Sequence, residues 1–336
     1  MTNVSLPPAR GPRSAALFGH LSGAHVPRTV EGPEASGLLG ADVLADEDAQ
    51  LTLHCIYELS YRGLPGVHAG FECDPWVLSL RREIEWAMEV QLRDEVGPLP
   101  HDAPELLRQV AAASGGPSLS AELVEHPDAE HLREFLVHRS IYQLKEADPH
   151  SWALPRLAGR AKAALVEIQF DEYGRGEPGR SHAELFATTM RSMGLDDTYG
   201  RYLAAVPAVT LATGNLIGLF GLQRRLLPAL IGHLALFEMT SVGPMSRYSA
   251  ALEAIGVGAE GREFFDVHVV ADAHHEQLAL DELVGGLLAD EPGAAPEVCF
   301  GALALTRVEA AFSGHLLDSF RSGRSSLRDG AATVAR

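Results

Sequence analysis

FFDVHVVADAHHEQLALDELV, residues 264–284, is the stretch on which the fold turns. Here His268, Asp272 and His275 stand at i, i+4 and i+7. At about 100° per residue these offsets share one helix face, which presents imidazole, carboxylate and imidazole together. Val269, Val270 and Ala271 beside them are apolar, and His274 is turned about 100° away from His275. A solvated polar stripe would show the same spacing, so other parts of the chain must decide between the two readings.

Working outward, VEIQFDEYGRGEPGRSHAELF (residues 166–186) ends one helix at Glu172 and opens the next at His182. Gly174, Gly176, Pro178 and Gly179 between them let the chain turn, so both side chains can face one cavity. Glu167 falls on another part of the surface. In LIGHLALFEMTSVG (residues 230–243), Glu238 lies in a nearly uncharged helix. A carboxylate there is costly unless it is paired or bound to metal. His233, five residues earlier, reads as a bundle histidine with its own partner.

Glu172, Glu238 and Asp272 with His182, His268 and His275 make a mixed oxygen and nitrogen ligand set without thiolate. Such a set suits non-haem iron or manganese better than structural zinc. Six ligands suit two metal ions, and one further acid would balance their charge. Ferritin-like centres carry Glu-x-x-His on two helices, and no such pair falls within this set.

The remaining sequence fits a helical bundle. The chain has 336 residues, 46% of them hydrophobic, and a formal net charge of −18. That balance allows a large core and argues against a nucleic-acid partner, which needs a basic footprint. Cys55, Cys73 and Cys299 are too few and too scattered for a disulfide framework or a zinc site. Residues 1–45 read as a disordered tail, 46–117 as an N-terminal helical region, 118–322 as the main helical domain and 323–336 as a flexible tail. Helices are expected over 76–97, 129–148, 157–174, 182–194, 227–243, 244–256, 262–288 and 298–321, with a shorter one from 51. Period-2 runs are scarce, so no strands are expected. The apolar segment 206–222 contains Pro207, Asn215 and three glycines and reads as a buried bundle helix rather than a membrane span. The N-terminus lacks the apolar run of a signal peptide, so a cytoplasmic protein is expected.

At the residues quoted, the sequence resembles the haem-oxygenase-like di-iron oxidase and oxygenase family. The resemblance covers about residues 50–322 and is strongest from Leu132 to Leu280. Its parts are DEYGxGxxxxxHAELF at Asp171–Phe186, the core-helix glutamate at Glu238, and HxxxDxxH at His268, Asp272 and His275. It implies an all-α, haem-oxygenase-like seven-helix bundle with additional N-terminal helices, holding two Fe(II) ions and no haem. Carried over by position, Glu172 and His182 are ligands of one iron, Glu238 is the shared carboxylate, and His268, Asp272 and His275 come from the last core helix. In the N-oxygenating branch an earlier glutamate joins the site. Glu146, in YQLKEADPH (residues 142–150), stands at that position, 26 residues before Glu172.

The activity so implied is O2 activation through a peroxo-diferric intermediate. Its outcome is oxidation of a small amine-containing substrate by N-oxygenation, as in specialised metabolite biosynthesis. O2 is co-substrate and the electrons come from an external donor, a reductase or small reductant, because no flavin or nicotinamide motif is present. The N-terminal helices resemble those of the family's larger members, and that resemblance implies a homodimer contact. Other readings stay open: C–C cleavage or desaturation of an amino or fatty acid by the same centre, manganese in place of iron, a single-axial-histidine haem site, or a metal-free small-molecule-binding bundle. Phe170, Leu185, Met190, Phe237 and Phe264 are the candidate pocket walls.

Overall fold

A computed structural model describes residues 5–23, 37–113 and 118–328. Among these the secondary structure is helical, with no strand. The helices are α1 (Pro12–Leu21), α2 (Glu47–Glu58), α3 (Pro75–Val96), α4 (Ala103–Ala112), α5 (Leu119–Glu125), α6 (Ala129–Gln143), α7 (Asp148–Ser151), α8 (Gly159–Glu172), α9 (His182–Ser192), α10 (Ala208–Leu222), α11 (Leu227–Ala254), α12 (Ala259–Gln277), α13 (Gly285–Asp290) and α14 (Ala295–Arg321). The bundle has the haem-oxygenase-like all-α fold.

Helix α11 is the axis of the bundle and packs along α12 and α14. Gly232 makes the second contact possible: a Cβ there would lie 1.9 Å from the Val298 carbonyl oxygen of α14. The sequence predicts two helices meeting at Pro244, but α11 runs through it. Proline costs an interior helical hydrogen bond. Here Met245, Tyr248, Ala251 and Leu252 beyond it are buried, and their packing carries the helix onward. Helix α12 passes into a π-helical stretch, Leu278–Val284, before α13. The single helix expected over 262–288 is therefore three segments in different registers.

Helix α10 is buried through Leu211, Leu216, Leu219 and Phe220, as its composition suggests. The segment Arg224–Ala254 is long and apolar enough to cross a membrane by length and composition, yet 61% of its most apolar window is buried inside the protein. Helix α2 packs on α10 and α3 on α14, so the N-terminal helices share the main core.

Both predicted tails need correction. Residues 12–21 form α1, which buries Leu17 and Leu21. Its free N-terminal amides at Arg13 and Ser14 donate to the Asp48 carboxylate, each at 2.8 Å. A cap supplied from another helix leaves no trace in the local sequence. Leu38, Val43 and Leu44 are also buried. At the other end, the buried Ser326 hydroxyl meets His138 Nε2 at 2.9 Å, and its backbone amide donates to Glu134 at 2.7 Å. The rest of the predicted tails, residues 1–4, 24–36 and 329–336, lies outside the described residues, as does 114–117.

Candidate metal centre

The centre begins at the turn between α8 and α9. Gly174 has φ of +63°, and a Cβ there would sit 2.3 Å from the Arg180 carbonyl carbon. Only glycine lets the chain double back this closely. Ser181 then starts α9 with a capping box: its side chain accepts from the Glu184 amide, while the Glu184 carboxylate accepts from the Ser181 amide. This folding brings Glu172, the last residue of α8, to His182, the first of α9, with Oε2 and Nδ1 3.0 Å apart.

Helix α12 supplies the opposite wall through His268, Asp272 and His275, all buried. His274 is exposed and pairs instead with Glu167 at 3.0 Å. Glu238 arrives from α11, its Oε2 3.3 Å from His275 Nδ1. Glu146 comes from the turn after α6, its Oε2 3.7 Å from His268 Nε2. That turn is held on both sides. Ala147 takes φ of 73°, and its carbonyl accepts from Gln169 Nε2 at 2.8 Å. The Lys145 ammonium donates to Glu58 of α2 at 2.5 Å, so an N-terminal helix fastens the residue next to Glu146.

Six of the seven side chains come together in two overlapping groups, with Glu238 beside them. Glu146, Glu172, His182 and His268 place ligand atoms within 4.8 Å of one another, and so do Glu172, Asp272 and His275. Glu172 belongs to both groups. Glu238 approaches the second group through His275.

A ligand set can be tested for fit by its unpaired atoms. Glu146 Oε2, His182 Nδ1, Asp272 Oδ1 and His275 Nδ1 are buried without a hydrogen-bond partner. His182 and Glu172, and His275 and Glu238, are close enough to pair, but their unpaired imidazole nitrogens show that the angles are not those of hydrogen bonds. Such convergence of acceptors is unfavourable by itself and is what a cation satisfies.

The outer hydrogen bonds agree. His268 Nδ1 donates to the Phe264 carbonyl at 2.6 Å, which leaves Nε2 facing inward. His275 Nε2 donates to Asp171 Oδ2 at 3.2 Å, which leaves Nδ1 facing inward. Ser241 donates to Asp272 Oδ2 at 2.5 Å. Fixing a ligand's tautomer and orientation in this way is usual in metal sites. Sequence reasoning missed Asp171 and Ser241. Asp171 stands beside Glu172 in the same motif, but its role shows only once α8 meets α12.

Crowding shows in the proton affinities. Burial raises the Glu238 carboxyl to about 8 despite His275 beside it. Burial also raises Glu172, but the His182, His268 and His275 imidazoles outweigh it and hold Glu172 at about 2. Burial lowers His268 and His275, and the surrounding carboxylates overcome it, lifting them to about 10 and about 11. Four carboxylates and three imidazoles packed together need added positive charge, as protons or as metal.

A cavity of about 20 Å³ lies among Glu146, Glu172, Glu238, His268 and Asp272, closed by Tyr142 and Phe237. Of the candidate pocket walls, Phe237 and Phe264 line a neighbouring chamber and Leu185 a surface groove. Met190 is packed in the core, away from the described cavities, and Phe170 is 53% exposed. Phe170 follows Gln169 and precedes Asp171, both of which face inward, so the helical turn carries it out. His233 has its partner as expected, His150 at 3.3 Å.

An all-helical bundle around a buried carboxylate and imidazole centre has the donor set of a metal-binding protein. The chain belongs to the iron-containing redox enzyme family, whose model matches residues 133–310, more than half its length. It is similar to the nitrosourea synthase of Streptomyces achromogenes subsp. streptozoticus, 26% identical over 170 residues. That match covers 50% of this chain and 36% of the relative, so the chain spans little over a third of the relative's length.

Proposed function

We propose that the protein is a non-haem di-iron oxygenase that uses O2 to oxidise a small amine-containing metabolite by N-oxygenation. The observation that carries the di-iron reading is the pair of ligand groups sharing Glu172, with four buried atoms left unpaired among them. Glu146, Glu172, His182 and His268 would hold one iron; Glu172, Asp272, His275 and Glu238 the other. Four carboxylates then balance two divalent ions. When bound, ferrous iron supplies the electrons that activate O2.

The chain's own residues do the rest. Asp171 and the Phe264 carbonyl keep protons on the outer nitrogens of His275 and His268, so the inner nitrogens stay free. Ser241 restrains one oxygen of Asp272. Tyr142, Leu234 and Phe237 shield the small cavity from water. An external electron donor completes each cycle. Nitrogen oxidation is supported by the relative's name, since a nitrosourea carries an N-nitroso group, and by Glu146, which takes its place in the first group.

The test is an anaerobic Fe(II) titration followed by O2 uptake in the presence of candidate amines. About two irons per chain and amine-dependent O2 consumption with an oxidised nitrogen in the product support the reading. A folded protein that takes up no iron, and is indifferent to replacing His268 or His275, ends it in favour of a metal-free binding bundle. Two irons with products cut or desaturated at carbon would retain the centre and overturn N-oxygenation.

A further inference from the structure

Beside the metal centre lies a larger chamber of about 540 Å³, walled by Phe135, Phe186, Leu236, Met245 and Phe264 among others. Its size suits a small organic molecule. Its inner end adjoins the ligand cluster at three points. Ser241, which bonds Asp272, is in its wall. So is Phe264, whose carbonyl holds His268. Phe237 borders both this chamber and the small cavity among the carboxylates, so one ring separates the two spaces.

The chamber's charged side chains are Arg139 and Glu309, beside several hydroxyls and Gln143. Arg139 and Glu309 neutralise each other through two hydrogen bonds of 2.9 and 2.7 Å. That leaves the wall no free charge from this pair for an ionic ligand. Gln143, one turn before Glu146, is different. It is 4% exposed, lines the chamber, and its Oε1 is buried without a hydrogen-bond partner. A buried acceptor left unpaired disfavours the empty state and rewards a ligand that donates to it. We propose that this chamber is the substrate site, and that it takes a neutral, largely apolar N–H compound, an arylamine, amide or urea rather than an ammonium ion, whose N–H donates to Gln143.

The inference deepens the oxygenase reading and rests on it for the word substrate; the binding site itself does not. The competing location is the groove of about 980 Å³ lined by Asp171, Arg175, Glu177, Arg180, Glu260 and Glu263, where Arg175 and Arg180 pair with Asp171 and Glu263 and the remaining carboxylates would favour a cation.

Three probes separate these: 1-aminonaphthalene, its N,N-dimethyl derivative without an N–H, and the cation 1-naphthylmethylammonium. Each is titrated by fluorescence against anaerobic protein with and without Fe(II), and iron is counted in the same samples. The first probe should bind about fivefold more tightly than the second, the worth of one net hydrogen bond. Gln143→Met should erase that difference while leaving the fold intact, since it removes an unpaired acceptor. Ala310→Trp, placed in the chamber's outer wall, should weaken both neutral probes. Neutral-probe binding unmoved by either substitution, or tighter binding of the cation, overturns the chamber as substrate site even with two irons in place. The expected probe pattern without iron uptake would keep the chamber and remove the oxygenase reading.

Discussion

Asp171 Oδ2 accepts a hydrogen bond from His275 Nε2 at 3.2 Å, so the acid next to one candidate ligand orients another 104 residues away. Asp171 is also held by Arg175 at 2.7 Å. Asp171→Ala should free the imidazole to rotate and change tautomer. The expected effect is a roughly 10- to 100-fold loss of iron affinity at the site His275 serves. A competitive chelator titration measures it. Unchanged affinity would make the contact incidental.

Glu172 and Glu238 should respond differently to removal. Glu172 lies in both ligand groups, while Glu238 reaches the second through His275. Glu172→Ala is expected to abolish binding of both irons, and Glu238→Ala to leave about one per chain. Iron stoichiometry by colorimetric assay decides it. The reverse pattern would return the shared role to Glu238.

Gly174→Ala tests whether the turn builds the site. The new Cβ would meet the Arg180 backbone at 2.3 Å in a backbone conformation with φ of +63°. A loss of about 3 kcal/mol in urea unfolding is expected, with reduced iron content in the folded fraction. Wild-type iron content at wild-type stability would show that the turn tolerates a wider path.

Acid should unfold this protein through histidines outside the centre. Burial holds His54 and His150 down to about 4 and His138 well below its usual 6.5. Their folded proton affinities are depressed, so below pH 6.5 the unfolded chain binds protons that the native state refuses. Stability therefore falls as pH drops from 6.5 toward 4, by about 2 kcal/mol per histidine at pH 5. His138→Gln retains a donor and an acceptor facing Thr210 and Ser326 and removes one titrating group. Urea unfolding at pH 7.5 and 5.0 should show a smaller difference for the variant; an equal difference would assign the acid sensitivity elsewhere.

The six candidate ligands were legible as a group because metal chemistry restricts residue type and helical geometry restricts spacing. His268, Asp272 and His275 declare a shared face within a single helix, and Glu238 stands out as a charge in an apolar run. Helix α1 was not legible, because its N-terminal amides are satisfied by Asp48 from another helix. The continuation of α11 through Pro244 was hidden for a related reason: a local rule against proline was overruled by burial on the far side.

By itself, then, the sequence determined which side chains could bind metal and that helices would carry them, since both follow from residue identity and a 3.6-residue period. Tertiary structure alone decided that Glu172 belongs to both groups, that Asp171 and Phe264 orient the imidazoles, and that Gln143 lines the neighbouring chamber. Those are relations between helices distant in sequence, set by how α6, α8, α11 and α12 pack, and no local spacing encodes them.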